Sequence, residues 1–154
     1  MIELAEGAGP LAIQGALFAS AFLSATLLPG SSEAMLVALI LRGGFDPVVL
    51  TLVATLGNTL GSLFNWACGR WLMHRSGARW FPVSERGLGR ARAWFARFGL
   101  PTLLFAWLPV VGDALTLVAG VLGVRWLPFL LLVGAGKLLR YGAVAAAATG
   151  FLAW

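Results

Sequence analysis

Leu28-Pro29-Gly30-Ser31-Ser32-Glu33-Ala34 interrupts a hydrophobic block that runs from about Leu11 to Leu41. A helix needs about 20 apolar residues to cross the hydrocarbon of a bilayer, so the block is too long for one crossing and too short for two. Eighty residues on, Leu108-Pro109-Val110-Val111-Gly112-Asp113-Ala114 breaks a second block, Gly99–Val124, in the same way. Each copy carries Leu-Pro, a carboxylate four residues after the proline, then alanine, and Gly43 matches Gly123 at the close of each unit. Apolar matches alone would be chance similarity between greasy stretches; the matched proline and acid make the pair a repeat.

Two short helical arms meeting at a polar, proline-bearing break form a re-entrant hairpin. Irregular backbone at membrane depth is tolerated where protein or a water-filled cavity surrounds it. Only Val48–Gly69 crosses between the two hairpins, which makes them enter from opposite faces, as in inverted-repeat transporters. The expected fold is therefore an all-α integral membrane protein forming one membrane domain. It comprises a hairpin over about 11–43, a transmembrane helix over 48–69, an Arg-rich cytoplasmic loop with an amphipathic helix over 70–98, a second hairpin over about 99–124, and a transmembrane helix over 126–153. Pro29, Gly30, Pro109 and Gly112 mark the hairpin tips. Four ordinary crossings with proline kinks are the alternative.

Composition supports the membrane placement. Sixty per cent of the residues are hydrophobic and 11% are charged, against roughly a quarter charged in a soluble domain. The chain carries seven Trp, a residue that favours the membrane–water interface. The net charge of +5 is concentrated in one inter-block segment, in Arg70, Arg75, Arg79, Arg86, Arg90, Arg92 and Arg97. This is the pattern of a loop held in the cytoplasm by the positive-inside rule. No groove-reading motif accompanies these arginines, so nucleic acid is not an expected partner. Cys68 is the sole cysteine, which excludes an internal disulfide and gives no support to a cysteine-based metal site. The first residues are acidic where a signal peptide needs a basic region.

Within the arginine loop, Ser84 is placed to cap a helix beginning at Glu85. At helical spacing Leu88, Ala91, Trp94, Phe95 and Phe98 share one side, while Arg86, Arg90 and Arg97 gather opposite. Such a helix lies on the bilayer, with its arginines toward anionic headgroups.

Two groups of polar residues sit where lipid is expected. Thr51, Thr55, Asn58, Ser62, Asn65 and Gly69 recur at steps of four and three along one face of the first crossing helix. Helix packing accounts for such a face, with Gly57 and Gly61 as a GxxxG pair; a helix lining a hydrated path accounts for it equally. Lys137 and Arg140 lie near the middle of the last block, too deep to reach either interface comfortably. A cation at mid-bilayer costs at least about 2.5–3.5 kcal/mol, so partners are expected. Of the six acids, only Glu33 and Asp113, at the hairpin breaks, are at matching depth.

Glu33, Asp113, Lys137 and Arg140 are thus expected to form one cluster, with Asn58 as a further polar contributor. The cluster is either a pair of fold-locking salt bridges or a site. Such a site would bind an anionic headgroup through the two bases, or carry a proton on an acid, since low dielectric disfavours the charged carboxylate. Gly134-Ala135-Gly136-Lys137 lacks the spacing and preceding strand of a phosphate loop. His74 stands alone in a basic loop, and no Ser-His-Asp set or HExxH occurs. No enzymatic activity, catalytic residue, metal or cofactor is expected.

The run Phe22-Leu23-Ser24-Ala25-Thr26-Leu27-Leu28-Pro29-Gly30-Ser31-Ser32-Glu33, the run Gly57-Asn58-Thr59-Leu60-Gly61-Ser62, and Trp107-Leu108-Pro109-Val110-Val111-Gly112-Asp113 resemble the small YqaA-like branch of the DedA family, also called the SNARE-associated or VTT-domain family. The resemblance spans nearly the whole chain and keeps the order of the motifs. It implies a bacterial inner-membrane protein with two facing re-entrant hairpins and a role in lipid or membrane homeostasis. Some members recycle a polyprenyl-phosphate carrier lipid, and others are linked to proton-dependent transport. The second hairpin of better-known members carries Arg-Phe-x-Pro-x-x-Arg; here the arginine positions hold Ala106 and Gly112, and Asp113 follows. Phosphate-lipid transport would then require Lys137 and Arg140 to supply the missing charge. The expected function is a transporter or lipid translocase for a phosphate-bearing polyprenyl lipid or phospholipid. Proton-coupled transport of a small ion or solute, and a non-transporting membrane scaffold, are the alternatives. Membrane lipids, an anionic lipid or small ionic substrate, and a second copy of the chain are the partners considered.

Overall fold

A computed structural model describes residues 9–25, 30–73, 85–108 and 111–152, and all regular structure among them is helical. In chain order the elements are α1 (Pro10–Ser24), α2 (Ser31–Arg42), α3 (Pro47–Met73), α4 (Glu85–Phe98), a 3-10 helix (Leu100–Trp107), α5 (Val111–Val121) and α6 (Trp126–Leu152). The tip prolines Pro29 and Pro109, and the expected cap Ser84, lie outside the described residues.

Helix lengths separate two classes. α3 and α6 have 27 residues each, about 40 Å at 1.5 Å per residue, which exceeds a hydrocarbon core of about 30 Å. Both are apolar enough to cross a membrane. α1 has 15 residues and α2 has 12; the 3-10 helix has 8 and α5 has 11. At roughly 16–23 Å each, these four fall short of the hydrocarbon thickness. α1 packs against α2, and the 3-10 helix packs against α5. The expected crossing over 48–69 is longer than the apolar count required, and it carries Arg70 on its last turn rather than in a loop.

Turn chemistry explains where the elements stop and start. Pro10 opens α1, where its missing N–H is no loss. Asp46 caps α3: its Oδ1 accepts the Val48 N–H at 2.7 Å, and Pro47 takes the first helical position. The matched glycines each hold a backbone that other residues rarely adopt, Gly43 at φ +76 and Gly123 at φ +72. At Gly123 the Val124 N–H reaches the Ala119 carbonyl and the Gly123 N–H the Gly120 carbonyl, the paired bonds of a Schellman stop.

The chain forms two compact units, Met1–Gly61 with Leu138–Trp154, and Ser62–Lys137. Each long helix contributes one half to each unit. In the first, Leu17, Leu36, Leu50 and Ala54 pack with Tyr141 and Ala145. A Cβ added at Gly57 would stand 2.5 Å from the Phe18 carbonyl oxygen, and one at Gly61 2.5 Å from that of Phe22. These glycines therefore let α1 lie directly on α3, the close packing anticipated from the GxxxG spacing. In the second unit Leu103, Ala106, Ala119, Phe129 and Val133 form the core, with Trp66 and Phe95 against it. Gly69 faces the Leu117 carbonyl and Gly120 that of Trp66, a reciprocal contact between α3 and α5. The Trp66 indole donates to the Val124 carbonyl at 3.0 Å, tying α3 to the end of the Schellman turn. Gly136 of α6 meets the Leu104 carbonyl of the 3-10 helix, as Gly57 of α3 meets that of Phe18.

α3 is built inside out by the standards of a water-soluble helix. Thr51, Thr55, Asn58, Thr59 and Ser62 are buried, while Val48, Leu52, Leu56 and Phe64 of the same helix are 47–64% exposed. α6 likewise turns Leu131 and Leu139 outward at 64% and 74%. Apolar faces of this extent are stable against lipid.

Candidate functional site

The site grows from the first turn of α2 and the middle of α6. Glu33 lies in that first turn, directly after Gly30 at φ +94 turns the chain into the helix. A carboxylate is favoured there by the helix dipole. Arg140 Nε is ion-paired with Glu33 Oε1, and the two side chains keep 22% and 25% of their surface accessible. The preceding residue on α2 and the following one on α6 make a second link, with Ser32 Oγ and the Tyr141 hydroxyl 2.6 Å apart and both residues buried. Asn58 also lies beside that hydroxyl; its Nδ2 donates to the Ala21 carbonyl at 2.9 Å. Adjacent residues on one helix thus grip adjacent residues on another, one link ionic and one hydrogen-bonded.

Of the expected cluster of Glu33, Asp113, Lys137 and Arg140 with Asn58, the first unit holds the Glu33–Arg140 pair and Asn58, the latter beside Tyr141. Tyr141 is the member that sequence reasoning missed. It is the sole tyrosine of the chain, and its position next to Arg140 was the available signal. Asp113 and Lys137 belong to the second unit. Asp113 stands in the first turn of α5, as Glu33 does in α2. Lys137 is 3% exposed, a degree of burial that lysine almost never reaches unless it is paired. It follows Gly136 on α6 as Asn58 follows Gly57 on α3. Gly112 is buried against the backbone of Ala106, which leaves no room for a side chain.

The polar face of α3 serves two ends. The Thr51 and Thr55 hydroxyls donate to the carbonyls of Pro47 and Thr51, each at 2.7 Å, and so satisfy themselves within the helix. Thr59 Oγ1 and Ser62 Oγ are buried without a hydrogen-bond partner among the described residues.

α4 is the expected amphipathic helix. Arg90 and Arg97 are exposed on it, Trp94 and Phe98 are half-exposed, and Phe95 packs into the core of the second unit. Arg86 lies on the same helix; its side chain is outside the described residues.

Long crossing helices, short packed helix pairs and an ion pair at the start of a short helix define an all-helical membrane protein of the DedA type. The chain belongs to the VTT-domain family, whose model matches residues 28–150. It is 49% identical to the inner membrane protein YqaA of Escherichia coli (strain K12) over 138 residues, 90% of this chain and 92% of that one. The Shigella flexneri protein of the same name matches equally. A Haemophilus influenzae protein is 40% identical over 143 residues, 88% of this chain and 87% of its own. No solved structure matches. The chain is an inner-membrane protein.

Proposed function

We propose that this protein moves an anionic, phosphate-bearing lipid across the inner membrane, with Arg140 as the phosphate ligand and Glu33 as its resting counter-ion. The observation that carries this reading is the partly accessible Glu33–Arg140 pair, held in the middle of a 27-residue apolar helix. A guanidinium binds phosphate through parallel hydrogen bonds, so a phosphate oxygen competes with the carboxylate for the same donors. When Arg140 turns to phosphate, Glu33 loses its counter-ion. Ser32 and Tyr141 keep the two helices together while the ion pair opens.

In this reading the packed pairs α1–α2 and 3-10–α5 are re-entrant hairpins that enter from opposite faces. Their lengths and the shared acid in each second arm support it. Asp113 and Lys137 serve the second hairpin as Glu33 and Arg140 serve the first.

The test is reconstitution in liposomes with a fluorescent phosphate-bearing lipid, following loss of protection from an impermeant quencher. Wild-type protein should scramble the probe, and Arg140→Gln and Glu33→Gln should be folded and inactive. Proton flux without lipid movement would favour the small-ion alternative. Lipid movement unchanged by both substitutions would remove the pair from the mechanism.

A further inference from the structure

Four helices contribute to the first unit, and each brings one polar group to a single buried point. α1 supplies the Ala21 carbonyl, α3 the Asn58 amide, α6 the Tyr141 hydroxyl and α2 the Ser32 hydroxyl. Asn58 Nδ2 donates to the Ala21 carbonyl at 2.9 Å and lies beside the Tyr141 hydroxyl, which is 2.6 Å from Ser32 Oγ. Asn58, Tyr141 and Ser32 are all buried. The neighbours of Asn58 place it there. Gly57 and Gly61 bring α3 against the carbonyls of Phe18 and Phe22. These contacts advance by one turn on each helix together, so α1 and α3 run parallel, and the Ala21 carbonyl falls opposite Asn58.

Close packing of α1 on α3 needs small residues, not an amide, and a buried amide costs free energy unless its polar atoms are paired. A primary amide carries two N–H donors and an acceptor oxygen. One donor goes to α1, which leaves the rest of the group to address Tyr141. The Glu33–Arg140 pair is the next residue along on both α2 and α6. A long arginine side chain is aimed within a narrow range only when the helix that carries it is fixed. We propose that Asn58 is a positioning residue of the Glu33–Arg140 site: through Tyr141 and Ser32 it sets how α6 meets α2, and so where the guanidinium points. That this positioning serves an anionic lipid rests on the function proposed above; the positioning itself does not.

The test follows exchange of the Arg140 Nε–H with water, by heteronuclear NMR of the purified full-length protein in phosphatidylcholine nanodiscs. Its signal is the one that Arg140→Lys removes, and in wild type the ion pair protects it. Asn58→Leu keeps the bulk of the side chain and removes the amide. It should speed this exchange about fivefold, the worth of roughly one neutral hydrogen bond. Asn58→Ala should do the same, and it serves if Asn58→Leu does not fold. Tyr141→Phe should match them, and Asn58→Leu with Tyr141→Phe should exchange no faster than either alone, because both act through one chain of contacts. A purely structural Asn58 would lower the melting temperature and leave this N–H exchanging at the wild-type rate in the folded protein. In liposomes Asn58→Leu should slow movement of the phosphate-bearing lipid by a similar factor. If wild type moves no lipid, the function proposed above fails, while the exchange measurement still decides the role of Asn58. Wild-type exchange in both Asn58 variants overturns the proposal. So does unchanged lipid movement in a variant whose exchange is fast.

Discussion

Ser32 Oγ stands 2.6 Å from the hydroxyl of Tyr141, 109 residues away in sequence, and both groups are buried. This contact sits one residue from the Glu33–Arg140 ion pair on both helices. It therefore ties α2 to α6 beside the charges. Tyr141→Phe should leave Ser32 without its partner and lower stability by about 1–2 kcal/mol. Ser32→Ala should cost a similar amount. Because the two act through one bond, the double mutant should be less destabilised than the sum of the singles. Thermal unfolding in detergent measures this, and strict additivity would break the proposed link.

For the ion pair, the expected pattern separates folding from function. Arg140→Ala strands a carboxylate and should lower stability by roughly 3 kcal/mol, the low end for buried pairs, because both side chains retain some access to water. Glu33→Ala combined with Arg140→Ala should recover much of the lost abundance and remain inactive in complementation. A double mutant that regains activity would assign the pair to folding alone.

Close packing makes a sharper contrast among glycines. Gly57→Ala brings a methyl group to 2.5 Å from the Phe18 carbonyl oxygen, which should push α1 off α3 and cost about 1–3 kcal/mol. Gly15 and Gly142 have nothing within 4 Å of an added Cβ. Gly15→Ala and Gly142→Ala should be neutral or slightly stabilising, since alanine is the better helix former. Equal melting temperatures for Gly57→Ala and Gly142→Ala would contradict the packing.

Topology is checked by cysteine labelling in a Cys68→Ala background. A probe at Ser76, within the arginine segment, should react with an impermeant reagent only after the cytoplasmic side is opened. If α1 and α2 form a re-entrant hairpin, probes at Gly9 and Gly44 should both react from outside intact cells. Protection of Gly9 with labelling of Gly44 would mean a full crossing between them.

Much of the architecture is local and was therefore legible. The two long helices, the separation of α1 from α2 and of the 3-10 helix from α5, and the Gly43 and Gly123 stops follow from apolar run length and turn chemistry, which act over a few residues. The polar face of α3 and the amphipathic face of α4 follow from helical periodicity. That Arg140, in the middle of an apolar block, needs an acidic partner was readable too, because lipid penalises an unpaired charge at any position along the block.

Three features needed the tertiary structure. Which acid Arg140 takes was open in the sequence, since opposite charges attract without encoding a partner; the approach of α2 to α6 selects Glu33. Tyr141 gains its role only from Ser32, 109 residues away, coming within 2.6 Å of its hydroxyl. The meeting of Asn58 with Tyr141 depends on four helices closing on one point, and no periodicity along a single helix records that. Sequence alone determined what must face lipid and where the chain must turn, because solvation and backbone sterics are paid residue by residue. Tertiary structure decided which polar groups meet, because a hydrogen bond or ion pair exists only at contact distance.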